Sequence, residues 1–238
     1  MGLNYAFDWS VLWRHPYGMW LIKGLGLTIG IGLAAWIIAL ALGILVGTLR
    51  VTNSRILRFF GALYVETLRN VPLIVQMFFW FYAGPMLFGA TLSRQINRIS
   101  GLNIYVAIFG LGLYTASRIA EHLRAGFASI GRDQYQAVLS TGMTKVQMYR
   151  HVIIPYALRL IMPPLTTEFL TVFKNTSIAM TIGVAELTFQ SYQIDADTFH
   201  GLEATTGAMM IYLILGIIVV KFMDMVEARY KIPGMLGR

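Results

Sequence analysis

The sequence predicts an all-α integral membrane protein. Of its 238 residues, 57% are hydrophobic and only 13% charged, where a soluble domain carries about a quarter. Mean hydropathy is +0.64, and one uncharged run, Gly24 to Leu49, is 26 residues long. Too little polar surface remains to cover a water-soluble globule. Composition also excludes disorder and collagen. Without a cysteine there is no disulfide scaffold, thiolate metal site or cysteine nucleophile.

A bilayer core of roughly 30 Å takes about 20 mostly apolar helical residues. The first run meets this and predicts a span over 22–49; it is too long for a signal-peptide core and lacks a basic leader. A second uncharged run predicts a span over 70–93, with Pro72 suited to a helix start. A third, 102–122, continues past Arg118. The stretch 160–183 is apolar enough to cross but holds Glu168 and Lys174, and 207–225 completes five spans. No internal repeat or linker divides residues 1–238, which read as a single domain.

The net charge of +8 would suggest nucleic acid in a soluble protein. In a membrane protein it reflects basic cytoplasmic loops. The first connection holds Arg50, Arg55 and Arg58, the third holds six Lys and Arg between Arg118 and Arg159, and the tail holds Arg229, Lys231 and Arg238. The fourth connection holds Glu186, Asp195, Asp197 and Glu203 with no base. Five alternating spans then put the N-terminus outside and the C-terminus in the cytoplasm. Gly26-x-x-x-Gly30 and Gly43-x-x-x-Gly47 in the first span give the close helix approach of small residues, within the chain rather than at a dimer seam.

The third connection is long enough to need structure of its own. Asp133-x-x-Gln136 and Thr144-x-x-Gln147 each fit a capping box, Gly142 stands where a left-handed helix end wants it, and Pro155 closes the second segment. This predicts two short helices joined by a tight turn over 130–156. Fixed between two spans, the pair suits a cytoplasmic docking element better than a DNA-reading helix-turn-helix.

Gln136-Ala137-Val138, then Gly142, then Val152-Ile153-Ile154-Pro155 resembles the EAA loop of ABC-importer membrane subunits. Gln136 replaces the leading Glu and Val138 the second Ala, while Val152 and Ile154 replace Ile and Leu; the spacing is kept. Arg69-Asn70-Val71-Pro72-Leu73 and Lys174-Asn175-Thr176-Ser177-Ile178 resemble the second- and fourth-span signatures of polar amino-acid importers. Together with Glu121, Arg124-Ala125-Gly126 and the Ile232-Pro233-Gly234 tail, the similarity covers about 20–232 and looks most like glutamate/aspartate importers.

The resemblance implies a type I ABC importer permease fold in a bacterial plasma (inner) membrane. It implies a second permease subunit, identical or paralogous, two ABC ATPase subunits and an extracellular or periplasmic amino-acid-binding protein. The chain has no Gly-Lys dipeptide and so no P-loop. No catalytic residue, metal site or cofactor is expected on it; ATP and Mg²⁺ belong to the partner ATPase. Gln136, Ala137, Val138, Gly142, Thr144, Gln147 and Pro155 become the ATPase-docking loop.

Charges inside a membrane are costly and mark function. Arg118 stands where many relatives of the family have tyrosine, and Asn175 where they have aspartate; one cation is gained and one anion lost. With Lys174, Thr176, Ser177 and Gln76, these residues form the expected path of an acidic substrate. The competing structural expectation pairs Lys174 with Glu168, two helical turns away, through a neighbour, and Arg118 with Glu121 at i+3. Glu66 and Arg69 are expected to pair, Asp195 and Asp197 to be solvated loop residues that meet the binding protein, and Trp9, Trp13 and Trp20 to form an interfacial belt. His15, His122, His151 and His200 show no metal-ligand spacing. The alternatives are an ion-coupled secondary carrier, which would show repeats and broken helices, and an intramembrane enzyme, for which no nucleophile and base are paired.

Overall fold

The computed structural model describes residues 5–229, and among these every regular element is helical. The Ile232, Pro233 and Gly234 tail lies outside the described residues, as do Lys231 and Arg238. The helices are α1 (Tyr17–Val51), α2 (Arg55–Asn70), α3 (Leu73–Phe78), α4 (Ala90–Ile96), α5 (Leu102–Ala128), α6 (Arg132–Leu139), α7 (Lys145–Met148), α8 (Ile154–Asn175), α9 (Leu187–Thr198) and α10 (Gly201–Ala228). Of these α1, α5 and α10 are each long and apolar enough to cross a membrane. At 35 residues, α1 runs about 50 Å, well beyond a bilayer core.

The stretch 70–93 is not one straight helix. Pro72 caps α3 from an extended conformation, a π turn follows at Phe79–Ala83, and a 3₁₀ turn at Gly84–Phe88 ends on Gly89 with φ +82°. The segment from Leu73 to Phe88 turns 104° from α2, and the two pass the span criteria only as a bent pair. The expected 160–183 span is α8 continued by the 3₁₀ stretch Thr176–Ile182.

Pro155 does not close a segment, contrary to the sequence reading. A second π turn, Tyr149–Ile153, carries α7 directly into α8, with Pro155 at the second residue. Proline removes an N–H and crowds the carbonyl four residues back, and a wider π turn relieves both. The first π turn likewise ends just before Pro85.

The chain packs as two compact units, each drawn from three separate stretches. The first comprises Met1–Trp36, Pro72–Gly112 and Thr171–Ile218. Its core gathers Val11, Leu21, Leu187, Ile194, Ala204 and Ala208 from the N-terminal segment, α1, α9 and α10. Trp20 packs against this core, while Trp9 and Trp13 are exposed. The second unit comprises Ile37–Val71, Leu113–Leu170 and Val219–Arg238. In it Val46, Val65 and Ala120 join α1, α2 and α5, and Ile130, Met148, Ile153, Ala157 and Ile161 seat α6 and α7 against α8.

The two glycine pairs of α1 differ sharply. A Cβ on Gly43 would lie 2.7 Å from Ile119, and one on Gly47 3.0 Å from Leu123. Gly26 and Gly30 face open space. Close packing inside the chain is therefore the role of the second pair alone. Overpacking such a contact costs about 1–3 kcal/mol. Gly43→Leu should lower the thermal midpoint of the detergent-solubilised chain, and Gly26→Leu should leave it unchanged.

Candidate functional site

The two short helices after α5 and the buried ion pairs are where the predicted site residues gather. In the predicted docking loop, Thr144 caps α7 with a full capping box: its backbone N–H donates to Gln147 Oε1 at 2.9 Å, and Gln147 N–H donates to Thr144 Oγ1 at 3.3 Å. Gly142 has φ +80°, a conformation that side chains resist. The other expected box is absent. Gly131 takes the cap position of α6, and Asp133 sits in its first turn, where a carboxylate suits the helix dipole.

Gln136 and Ala137 are exposed on α6, and Val138 turns towards the Met148 and Ile153 cluster. Tyr135 packs there too, and burial raises its hydroxyl pKa above the usual value. Met148 anchors α7 in that cluster, at 4% exposure, leaving Val146 76% exposed in a groove with Tyr149 and Ile154. Val146 and Tyr149 were not singled out in the sequence, because only the fold shows which face of so short a helix is free.

The ion pairs correct the sequence expectations. Arg118 Nε donates to Glu168 Oε2 at 2.7 Å, and His122 Nε2 lies 3.0 Å from Glu168 Oε1. Glu121 instead holds Arg50 and Arg124, with Arg69 at 3.9 Å. Helix rotation of about 100° per residue explains the exchange. Arg118 and His122, four apart, share the face of α5 that meets α8, while Glu121 and Arg124 share the face that meets α1.

Glu66 does not pair with Arg69; it accepts from Asn70 at 3.3 Å and lies 3.9 Å from Arg50. Asp195 and Asp197 lie on α9 rather than in a loop. Among the described residues, no carboxylate comes within ion-pair distance of Lys174. Six residues after Glu168, it is turned about 120° round the helix.

Lys174 and Ser177 line a groove with Met209, Tyr212 and Leu213 of α10. The hydroxyls of Thr176 and Ser177 donate to the carbonyls of Phe173 and Lys174, at 2.7 and 2.8 Å. Asn175 ends α8, and Gln76 is buried on α3. Sequence reasoning placed Glu186 only among the acids of the fourth connection and gave it no role. Its buried carboxylate caps α9 through Phe189 and Thr188 N–H and accepts from Tyr212 at 2.7 Å.

Breaking a buried pair strands its partner. Arg118 and His122 are 36% and 32% exposed, which tempers the loss for Glu168→Gln to about 2 kcal/mol. Thermal melts should show this loss, with more than half recovered in the Arg118→Met/Glu168→Leu double variant.

Comparison with known proteins shows the family and the fold. Residues 16–232 match the family model described as binding-protein-dependent transport system inner membrane component. The chain is 35% identical over 244 residues to the glutamate/aspartate import permease protein GltJ of Escherichia coli K12, covering 99% of each. It is 32% identical to the glutamine transport system permease protein GlnP of the same strain, over 95% of this chain and 99% of that one. A solved amino acid ABC transporter, crystallised with histidines, superposes with a TM-score of 0.81 at 27% identity, covering 94% of this chain and 100% of that one. The chain therefore belongs to the family of binding-protein-dependent transport system inner membrane components and has the type I ABC importer permease fold.

Proposed function

We propose that the chain forms the translocation path of an ATP-driven importer for an acidic amino acid, glutamate or aspartate. The observation that carries the reading is the similarity to GltJ along essentially the whole of both chains. ATP is hydrolysed on two separate ATPase subunits, and an extracellular binding protein delivers the substrate. A second permease subunit, identical or paralogous, completes the path. Five spans, with the N-terminus outside and the C-terminus in the cytoplasm, put the basic connections inside.

The docking loop serves the ATPase. Gln136 and Ala137 offer the exposed polar and backbone contacts of α6, while the box of Thr144 and Gln147 and the turn at Gly142 fix α7 relative to it. Val138 holds the pair to the chain's own core. Pro155, at the head of α8, joins docking helix to span.

The anionic path rests more on Lys174 than on Arg118. Glu168 already neutralises much of Arg118, whereas Lys174 has no carboxylate within ion-pair distance among the described residues and lines an apolar groove, where attraction to a carboxylate is strengthened by low dielectric. Asn175 removes an acidic neighbour that would repel it. Gln76, Thr176 and Ser177 are polar positions along the same path.

Reconstitution with the proteins encoded beside this chain tests the proposal. Stimulation of ATPase activity by glutamate or aspartate, through the binding protein, is the expected result. Stimulation by glutamine alone would keep the machine and remove the acidic substrate, and uptake driven by an ion gradient without any ATPase would overturn both. Within the active complex, Lys174→Met should reduce transport of acidic substrate about fivefold, the equivalent of about 1 kcal/mol, with neutral substrate unaffected. Arg118→Met should impair all substrates together. Equal, unselective losses for both variants would remove Lys174 from selectivity.

A further inference from the structure

The first unit carries a groove that the transport reading does not use. Its floor is one face of α1, where Gly18, Ile22 and Leu25 repeat at helical spacing, and its opposite wall is Leu12, Trp13 and Ile211. From Gly18 to Leu25 the floor is about 10 Å long. Glycine at 18 lets the N-terminal turn lie close, since a Cβ there would stand 3.0 Å from the Leu12 carbonyl. The groove is apolar along its length and has basic side chains at one end, where Arg14 and His15 form the mouth; no acidic residue lines it.

Arg14 is held by Asp8 at 2.8 Å through one Nη, leaving the rest of its N–H fork exposed. Asp8 is itself fixed by the Ser10 hydroxyl and backbone N–H, and these contacts with Arg14 hold its carboxyl below the usual range. The segment is also tied to α10: Tyr5 hydroxyl and Asp8 N–H both donate to Glu203, the latter at 2.7 Å. Tyr5, Phe7 and Trp9 continue outward as a ladder of rings, Phe7 and Trp9 stacked at 6.3 Å.

Those ties fix the level of the mouth. α1 begins at Tyr17 and α10 at Gly201, and both are of membrane-crossing length and apolarity. The mouth with Arg14 and His15 and the ring ladder therefore sit where the apolar surfaces of two spans start. Exposed aromatic rings and cations above an apolar wall match the profile of the bilayer interface. The cores of protein interfaces, by contrast, are depleted of charge.

We infer that this groove binds a phospholipid, with an acyl chain along α1 and a phosphate-bearing headgroup on Arg14 and His15, anionic headgroups being preferred. The site fastens the start of α1 to the membrane surface without entering the transport path.

Trp13, 82% exposed at the groove wall, reports on occupancy. Trp9, Trp20, Trp36 and Trp80 are changed to Phe, and the full chain is placed in phosphatidylcholine vesicles containing lipid with brominated chains. Quenching of Trp13 should reach half-maximum at about fivefold lower mole fraction for brominated phosphatidylglycerol than for brominated phosphatidylcholine. Arg14→Gln with His15→Gln should abolish the difference, and Arg14→Lys should keep it. Because Trp20 is part of the core, lipid retained by the otherwise unaltered chain on purification is compared by mass spectrometry, with and without the Arg14→Gln and His15→Gln changes. Equal quenching by both lipids, or quenching by aqueous iodide and not by brominated chains, would overturn the proposal. Shielding that arises only on adding a second permease subunit or the binding protein would do so too, assigning the groove to protein.

Discussion

Carboxylates held inside an apolar chain set the terms for the rest of this structure. Glu168, Glu186 and Glu203 are buried, and Glu121 is mostly so. Taking an ion out of water costs several kcal/mol even after relaxation, and only well-placed donors offset it. Few donors are to hand in a sequence with 13% charged residues, so they come from distant places. Glu168 draws on α5, Glu121 on α1 and α5, Glu186 on α10, and Glu203 on residues 5 and 8. Within each unit the carboxylates thus act as fasteners between helices that apolar surface alone would hold without register.

That constraint explains what could be read in advance. Hydropathy identifies α1, α5 and α10, because a long apolar run has no other stable form in a membrane than a helix. The capping box at Thr144 was legible because it is local, a matter of four adjacent residues. The i,i+3 rule found the wrong partners for Arg118 and Glu66: Arg118 turns to a carboxylate on another helix, and Glu66 accepts from Asn70 one residue further along its own. Glu168 lies 50 residues from Arg118, and nothing in the sequence marks that separation. The break after α2 and the two π turns were hidden for a related reason. A proline announces a perturbation, but whether the chain ends, bends or widens depends on what packs around it.

His122 shows the same limit from the other side. Its spacing excluded a metal site and offered no role, yet four residues from Arg118 it completes the pair of donors around Glu168. A carboxylate with two donors from one helix face is held at both oxygens, and its helix cannot rotate without releasing one of them.

The helical path from α7 through the π turn into α8 gives these fasteners mechanical meaning. It is helical without a break from Lys145 to Asn175. Such a helix yields where its hydrogen-bond ladder is interrupted, at the π turn before Pro155 and at Pro163 and Pro164 inside α8. Glu168 lies just beyond the second interruption and is clamped to α5. This helix thus has two places where its backbone ladder is interrupted and one where it is held to α5. Proline and π winding mark the compliant points of this helix within the second unit, and an ion pair marks its fixed one.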